Sequence, residues 1–331
     1  MRICVFGAGA IGGLLAARLA DSGAEVSVVA RGAHLEAIRQ NGLTLLSADG
    51  EGRERPLVVT IEASDRASEF GPQDAVIVAV KGQGIAGATP AIQPVLGPET
   101  AVVTAQNGVP WWYFHGVGGE LEGAHLESID PGGEIWRAIG PRRAIGCVVY
   151  PSGEIVQPGV VRHIDGRRFM IGEPDGSISS RVTALGQLLS QAGFRAPVRR
   201  RVRDDIWGKL WGNLAFNPLS VVSGATLGEI GADPHLRGRA SRLMEEGRDV
   251  AEALGIRLRV DLAKRLQWAV DVGDHRTSML QDFEAGRPLE LAGVVAAVAD
   301  IGSRVGVATP TIDAVLAEVR SLVERRDRES S

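Results

Sequence analysis

The sequence is poor in the residues that build metal centres and disulfide frameworks. Its 331 residues include two cysteines, Cys4 and Cys147, and six histidines scattered without ligand spacing. Two thiols with no CxxC pair exclude a disulfide scaffold and suit a reducing compartment, and no metal site is expected. Cys4 lies in an apolar run that reads as a buried strand, so the thiols are read as inert. A basic excess is also missing: 36 Lys and Arg stand against 40 Asp and Glu. Phosphate backbones and anionic lipid surfaces draw on surplus positive charge, so neither nucleic acid nor membrane is expected as a partner. No stretch approaches the roughly 18 apolar residues needed to cross a bilayer. Gly7 and Gly9 interrupt the first apolar stretch, so no leader is expected and a cytoplasmic location is.

What is present is the balance of a globular protein, 44% hydrophobic and 23% charged, in a chain long enough for two cores. In the first half, β-branched runs at 3–6, 26–30, 75–80, 101–104 and 144–149 alternate with helical stretches. Short, almost wholly apolar runs separated by helices are the pattern of a doubly wound, mostly parallel sheet. Residues 151–180 are rich in Gly and Pro and read as hairpins that extend this sheet. A helix over 181–192 follows. Beyond the basic run 199–203 the pattern is helical throughout, with long stretches at 237–254, 258–271, 289–304 and 311–326 and a charged tail from Arg325 that should fray. The expected organisation is an α/β Rossmann-type domain over 1–200 and an all-α domain over 201–331.

Gly7-Ala8-Gly9-Ala10-Ile11-Gly12 is a GxGxxG between a predicted strand over 2–6 and a predicted helix over 11–21, with a second strand at 25–30. That context makes it a dinucleotide loop. Gly7 allows the tight turn, Gly9 lets backbone approach a pyrophosphate, and Gly12 lets helix and strand pack closely. Where an NAD site places an acid at the end of the second strand, this chain has Arg31, with no carboxylate until Glu36. A guanidinium can hold a 2′-phosphate through two hydrogen bonds, which points to NADP. Lys81 and Asn107 stand just past the ends of two further predicted strands, where such sheets bind ligands.

In the second half, Lys209, Asn213 and Asn217 recur at i, i+4 and i+8 and share one helix face amid almost wholly apolar neighbours. Buried Lys and Asn need polar partners, so the stripe faces a ligand or an interior hydrogen-bond network. Pro218 should end or kink the helix. Ser278 reads as an N-cap and Glu290 as a first-turn acid, or both as site residues.

Taken in order, these residues resemble the ketopantoate reductase (2-dehydropantoate 2-reductase) family: the glycine loop, Arg31, Val80-Lys81, Gln106-Asn107-Gly108, Lys209-x3-Asn213-x3-Asn217-Pro218, Ser278 to Asp282, and Glu290. The resemblance covers nearly the whole chain. It implies a Rossmann domain coupled to a helical domain with the active site in the cleft between, NADPH as hydride donor and a small 2-keto acid as acceptor. It further implies Lys209 as general acid, held in place by Glu290. Asn213, Asn217 and Ser278 would hold the substrate, and Lys81 and Asn107 would sit where cofactor and substrate meet. The expected reaction is reduction of 2-dehydropantoate to pantoate, feeding pantothenate and coenzyme A synthesis. Two alternatives stand beside it: reduction of another 2-keto acid, and a non-catalytic NADP-sensing protein. A homodimer is compatible with this reading, but the sequence does not identify its face. One departure from the resemblance is the run Trp111-Trp112-Tyr113-Phe114 with the Gly- and acid-rich stretch after it, which either walls the substrate pocket or packs as a small core of its own.

Overall fold

The computed structural model describes residues 1–48 and 51–329. The chain folds as two compact units. The first contains residues 1–106, 110–125 and 132–202, and the second residues 107–109, 126–131 and 203–331.

The first unit is built on a seven-stranded sheet. Its strands are β1 (Arg2–Phe6), β2 (Glu25–Val29), β5 (Glu62–Ser64), β6 (Gln73–Val78), β7 (Leu96–Thr104), β8 (Ala144–Val149) and β11 (Phe169–Gly172), in the spatial order β11-β8-β7-β6-β1-β2-β5. All neighbours pair in parallel except β11, which runs antiparallel to β8. Ile3 pairs with Val26 on one side and Ala75 on the other, so β1 lies at the centre with Ile3 to Phe6 buried. Strand order reverses at β1, which makes the ends of β1 and β6 the switch point of the sheet. Helices α1 (Ala10–Asp21), α2 (Gly32–Asn41), α3 (Ile85–Ile92), α4 (Glu134–Ile139) and α5 (Ser180–Gln191) complete the unit.

The hairpin expected to extend this sheet does something else. Strands β9 (Ser152–Gln157) and β10 (Val160–Asp165) join β3 (Leu43–Ala48) and β4 (Glu54–Val59) in a separate four-stranded sheet, ordered β4-β3-β10-β9. Val161, fully buried on β10, packs on Gly13 of α1, where a Cβ would come within 2.7 Å of its side chain. That packing ties the small sheet to the glycine-loop helix. Only β11 extends the main sheet. Cys4 and Cys147 are both buried, and burial pushes the Cys4 thiol up to about 12, which leaves it without a thiolate at neutral pH.

The aromatic run forms a core. Trp111, Trp112, Tyr113 and Phe114 are all at most 2% exposed in the first unit. Trp112 donates its indole N–H to Thr104 Oγ1 at 3.1 Å, and Trp111 meets Trp136 edge to face. The four rings pack as a core of their own, as one of the two readings of the run expects.

The second unit consists of α6 (Val202–Ser223), α7 (Leu227–Ala232), α8 (Pro234–Ala253), α9 (Leu262–Val272), α10 (Ser278–Glu284), a π-helical turn (Ala292–Ala296), α11 (Ala297–Val305) and α12 (Pro310–Glu329). Helix α6 does not end at Pro218 but runs through it to Ser223, with the buried residues Leu214 and Leu219 on either side of the proline. The charged tail stays helical to Glu329: Arg326 donates to the Phe283 carbonyl at 3.1 Å and stacks over its ring. Among the described residues no helix is long and apolar enough to cross a membrane, and no cluster of His, Cys, Asp or Glu could hold a metal.

Candidate active site

The dinucleotide loop starts where β1 ends. Gly7 adopts φ +103°, a region that favours glycine, and its backbone N–H donates to the Val29 carbonyl of β2 at 3.1 Å. A Cβ at Gly12 would lie 1.8 Å from the Gly7 carbonyl oxygen and 3.1 Å from the Ala79 side chain, so α1 reaches the sheet only because residue 12 has none. Gly9 caps α1, and a Cβ there would meet nothing within 4 Å. The first turn of α1 also carries no acid. An open glycine at a helix N-terminus whose first turn carries no acid fits a pyrophosphate.

Arg31 is the N-cap residue of α2, exposed at the end of β2. Three residues on, the sequence reading missed His34. Its Nδ1 accepts the Gly159 N–H at 3.0 Å, which joins α2 to the β9–β10 turn. Burial lowers the His34 pKa, with the Ala8 backbone pulling the other way, so the ring is held neutral beside the glycine loop. Its one signal in the sequence was its place three residues after Arg31. Lys81 caps the short turn after β6 and is half-buried. Gln106 donates to the Val80 carbonyl at 2.7 Å and so fixes the segment that leads out of β7.

In the second unit, three residues predicted from separate parts of the chain meet. Lys209 Nζ donates to Asn107 Oδ1 at 2.7 Å, and Asn107 Nδ2 donates to Glu290 Oε2 at 2.9 Å. The ammonium can only donate and the carboxylate can only accept, so this chain of hydrogen bonds fixes the orientation of the amide between them. Asn107 is therefore the link through which Glu290 reaches the lysine.

The backbone holds this link. Gly108 sits at φ +87°, and a Cβ there would come within 2.5 Å of the Gly293 carbonyl group. The next N–H, of Val109, donates to the Gly293 oxygen at 2.9 Å. Gly293 lies in the π-helical turn just after Glu290, an irregularity that helical periodicity does not reveal.

Along the same face of α6, Asn213 is half-buried and Asn217 buried. The stripe continues to Ser220, whose hydroxyl pairs with that of Thr277 at 2.5 Å; both residues are buried. Thr277 is the N-cap of α10, accepting the Leu280 N–H at 3.1 Å. Ser278 is thus the exposed first residue of the helix and not its cap. Ser220 and Thr277 were missed; Ser220, eleven residues after Lys209, was visible as the next member of the stripe.

A doubly wound unit with a glycine loop at its switch point, joined to a helical unit carrying a lysine–amide–carboxylate chain, has the make-up of a nicotinamide-dependent oxidoreductase. The family model for Ketopantoate reductase PanE/ApbA matches residues 3–176, and its C-terminal counterpart matches residues 201–323. The chain belongs to the ketopantoate reductase family. A curated protein of Mesorhizobium japonicum named 2-dehydropantoate 2-reductase is 53% identical over 327 residues, covering 98% of this chain and 99% of its own. A protein of the same name from Archaeoglobus fulgidus is 27% identical over 92% of each chain. Among crystal structures, a candidate ketopantoate reductase from Ralstonia solanacearum MolK2 superposes with a TM-score of 0.92 at 40% identity, covering 98% of both chains.

Proposed function

We propose that the protein reduces the C2 ketone of 2-dehydropantoate to pantoate with NADPH, and that Lys209 is the proton donor. The observation that carries this reading is the chain Lys209–Asn107–Glu290, which presents an ammonium group oriented by an amide and a carboxylate. The names of the Mesorhizobium and Archaeoglobus relatives support the choice of substrate.

NADPH, when bound, supplies the hydride that adds to C2. The chain's own residues do the rest. Lys209 hydrogen-bonds the ketone oxygen and passes a proton to it as the C–O π pair becomes an alkoxide. A cation already in place where negative charge develops favours the transition state over the ground state. Asn107 and Glu290 keep the ammonium aimed. Asn213, Asn217 and Ser278 bind the polar groups of the substrate. The glycine loop from Gly7 through Ala8, Gly9, Ala10 and Ile11 to Gly12 holds the pyrophosphate at the start of α1. Lys81, at the end of β6, would contact the cofactor, and Asn107 would contact the substrate through the amide that holds Lys209.

The test is NADPH oxidation over a panel of 2-keto acids, and 2-dehydropantoate is expected to give the highest kcat/KM. A larger value for another member would reassign the substrate. Tight NADPH binding with no turnover on any acceptor would identify a sensor instead.

Arg31, exposed at the end of β2, would hold the 2′-phosphate, and its charge is the reason for preferring NADPH. Arg31→Ala should weaken NADPH binding by about 10- to 100-fold, the loss of one charge-assisted pair, and leave NADH binding nearly unchanged. Fluorescence titration with both cofactors reads this, and an unaltered preference would reject the assignment.

A further inference from the structure

Helix α6 has one open side. Ile206, Trp207, Leu210, Trp211, Leu214 and Ala215 are buried, whereas Asp205, Gly208, Lys209 and Asn213 are not. At 100° per residue the latter four fall on one face together with Gly212. Two of the five are glycines, one turn apart in the middle of a 22-residue helix. Glycine inside a helix is destabilising relative to alanine, so the sequence sacrifices helix stability to keep this face bare.

One bare position is filled. The Arg265 guanidinium of α9 fills the space over Gly212, where a Cβ would come within 2.0 Å of its Nη2 and 2.7 Å of its Cζ. It also lies over the Trp268 ring, with Cζ 4.3 Å from the ring centroid. Held by an indole and a helix backbone, the guanidinium has little rotamer freedom left to lose on meeting an anion. The other position, Gly208, is exposed, and a Cβ there would meet nothing within 4 Å. Arg265 thus brings a second cation to the face that carries Lys209.

A 2-keto acid presents two oxygen groups on adjacent carbons, a ketone and a carboxylate. Lys209 and Gly212 are three residues apart on this face, about 4.5 Å along the helix axis, so the two cations stand next to each other along α6. The planar fork of an arginine matches a carboxylate, and the point charge of a lysine suits the oxygen that takes up the proton. Asn213, Asn217 and Ser278 are neutral donors and do not balance the carboxylate charge.

We propose that Arg265 is a substrate-binding, specificity-determining residue. Its guanidinium, laid on Gly212, takes the carboxylate of the 2-keto acid, and the bare shelf at Gly208 admits the carbon skeleton. This rests on the reading of the chain as a 2-keto acid reductase with Lys209 as donor.

The test compares R265Q, R265K and G208A with the parent protein, using 2-dehydropantoate and its uncharged primary amide. R265Q should raise KM for the acid by about 10- to 100-fold, the loss of a charge-assisted pair, and kcat should stay within about threefold. Binding of the amide, read as KM or as inhibition of the acid's turnover, should change little. R265K should recover part of the acid's KM. G208A should raise the melting temperature, as a better helix former, and raise KM for acid and amide alike. Equal losses for acid and amide in R265Q, or a lowered melting temperature with unchanged KM, would make Arg265 a structural cover for α6 and overturn the proposal. If R265Q does not fold, R265K and G208A decide: KM for the acid unchanged in both also overturns it. A parent protein that reduces no 2-keto acid would instead remove the underlying reading, a result no variant comparison can imitate.

Discussion

Lys209→Ala is expected to lower kcat for 2-keto acid reduction by about 100- to 10,000-fold, the range for removing a positioned proton donor. The ketone oxygen would lose both its proton source and the cation that stabilises the developing alkoxide. Those two losses act on the transition state, so kcat and kcat/KM should fall together. NADPH binding should stay close to that of the parent protein, because the glycine loop and Arg31 belong to the other compact unit. The fold should also survive, since Lys209 lies on the open side of α6 and the buried side is untouched. Steady-state kinetics with a parallel cofactor titration reads both halves. Full turnover in the variant would remove Lys209 from the chemistry, whatever the family.

The second large effect is expected at Gly12. In Gly12→Ala the new methyl would sit 1.8 Å from the Gly7 carbonyl oxygen, so α1 or the loop must move. The clash is with backbone on one side and with the Ala79 side chain, at 3.1 Å, on the other, and neither can swing away as a long side chain would. Overpacking of this kind typically costs about 1–3 kcal/mol of stability. Cofactor affinity should suffer more, by about 100-fold or more, equivalent to about 2.8 kcal/mol, because the N–H groups that face the pyrophosphate shift with the helix. The contrasting control is Gly9, where the space is open and an added methyl should cost affinity without costing stability. A Gly12→Ala protein that binds NADPH and melts like its parent would show that the loop does not hold the cofactor.

The main sheet and the helical character of the second half were legible in the sequence. The sheet announces itself because fully buried parallel strands are continuous apolar runs, as Ile3 to Phe6 and Ala144 to Val149 are. The separate four-stranded sheet was not legible. Its strands come from distant segments, β3 and β4 before residue 60 and β9 and β10 after 150, and hairpin signals say that strands pair, not which sheet they join. Of the site, Lys209, Asn213 and Asn217 could be read together because a helix repeats its faces. That Asn107 bridges Lys209 and Glu290 could not, since 102 residues separate one pair and 183 the other. The π-helical turn was hidden for a related reason: it shifts the helix register between Glu290 and Ala297 without changing the composition. Arg265 also escaped notice, because it matters through what Gly212 lacks.

The close approach of Gly108 to Gly293 has a consequence for how this site can change. The position of Asn107 relative to Glu290 is set by two stretches of main chain touching, without side chains between them. Such a joint offers selection nothing to adjust by degrees: any added atom breaks it, and none can be trimmed. The Lys209–Asn107–Glu290 end of the site is therefore frozen as a unit. Variation in what the enzyme accepts should accumulate on surfaces that side chains still control, such as the face of α9 that carries Arg265 and Trp268.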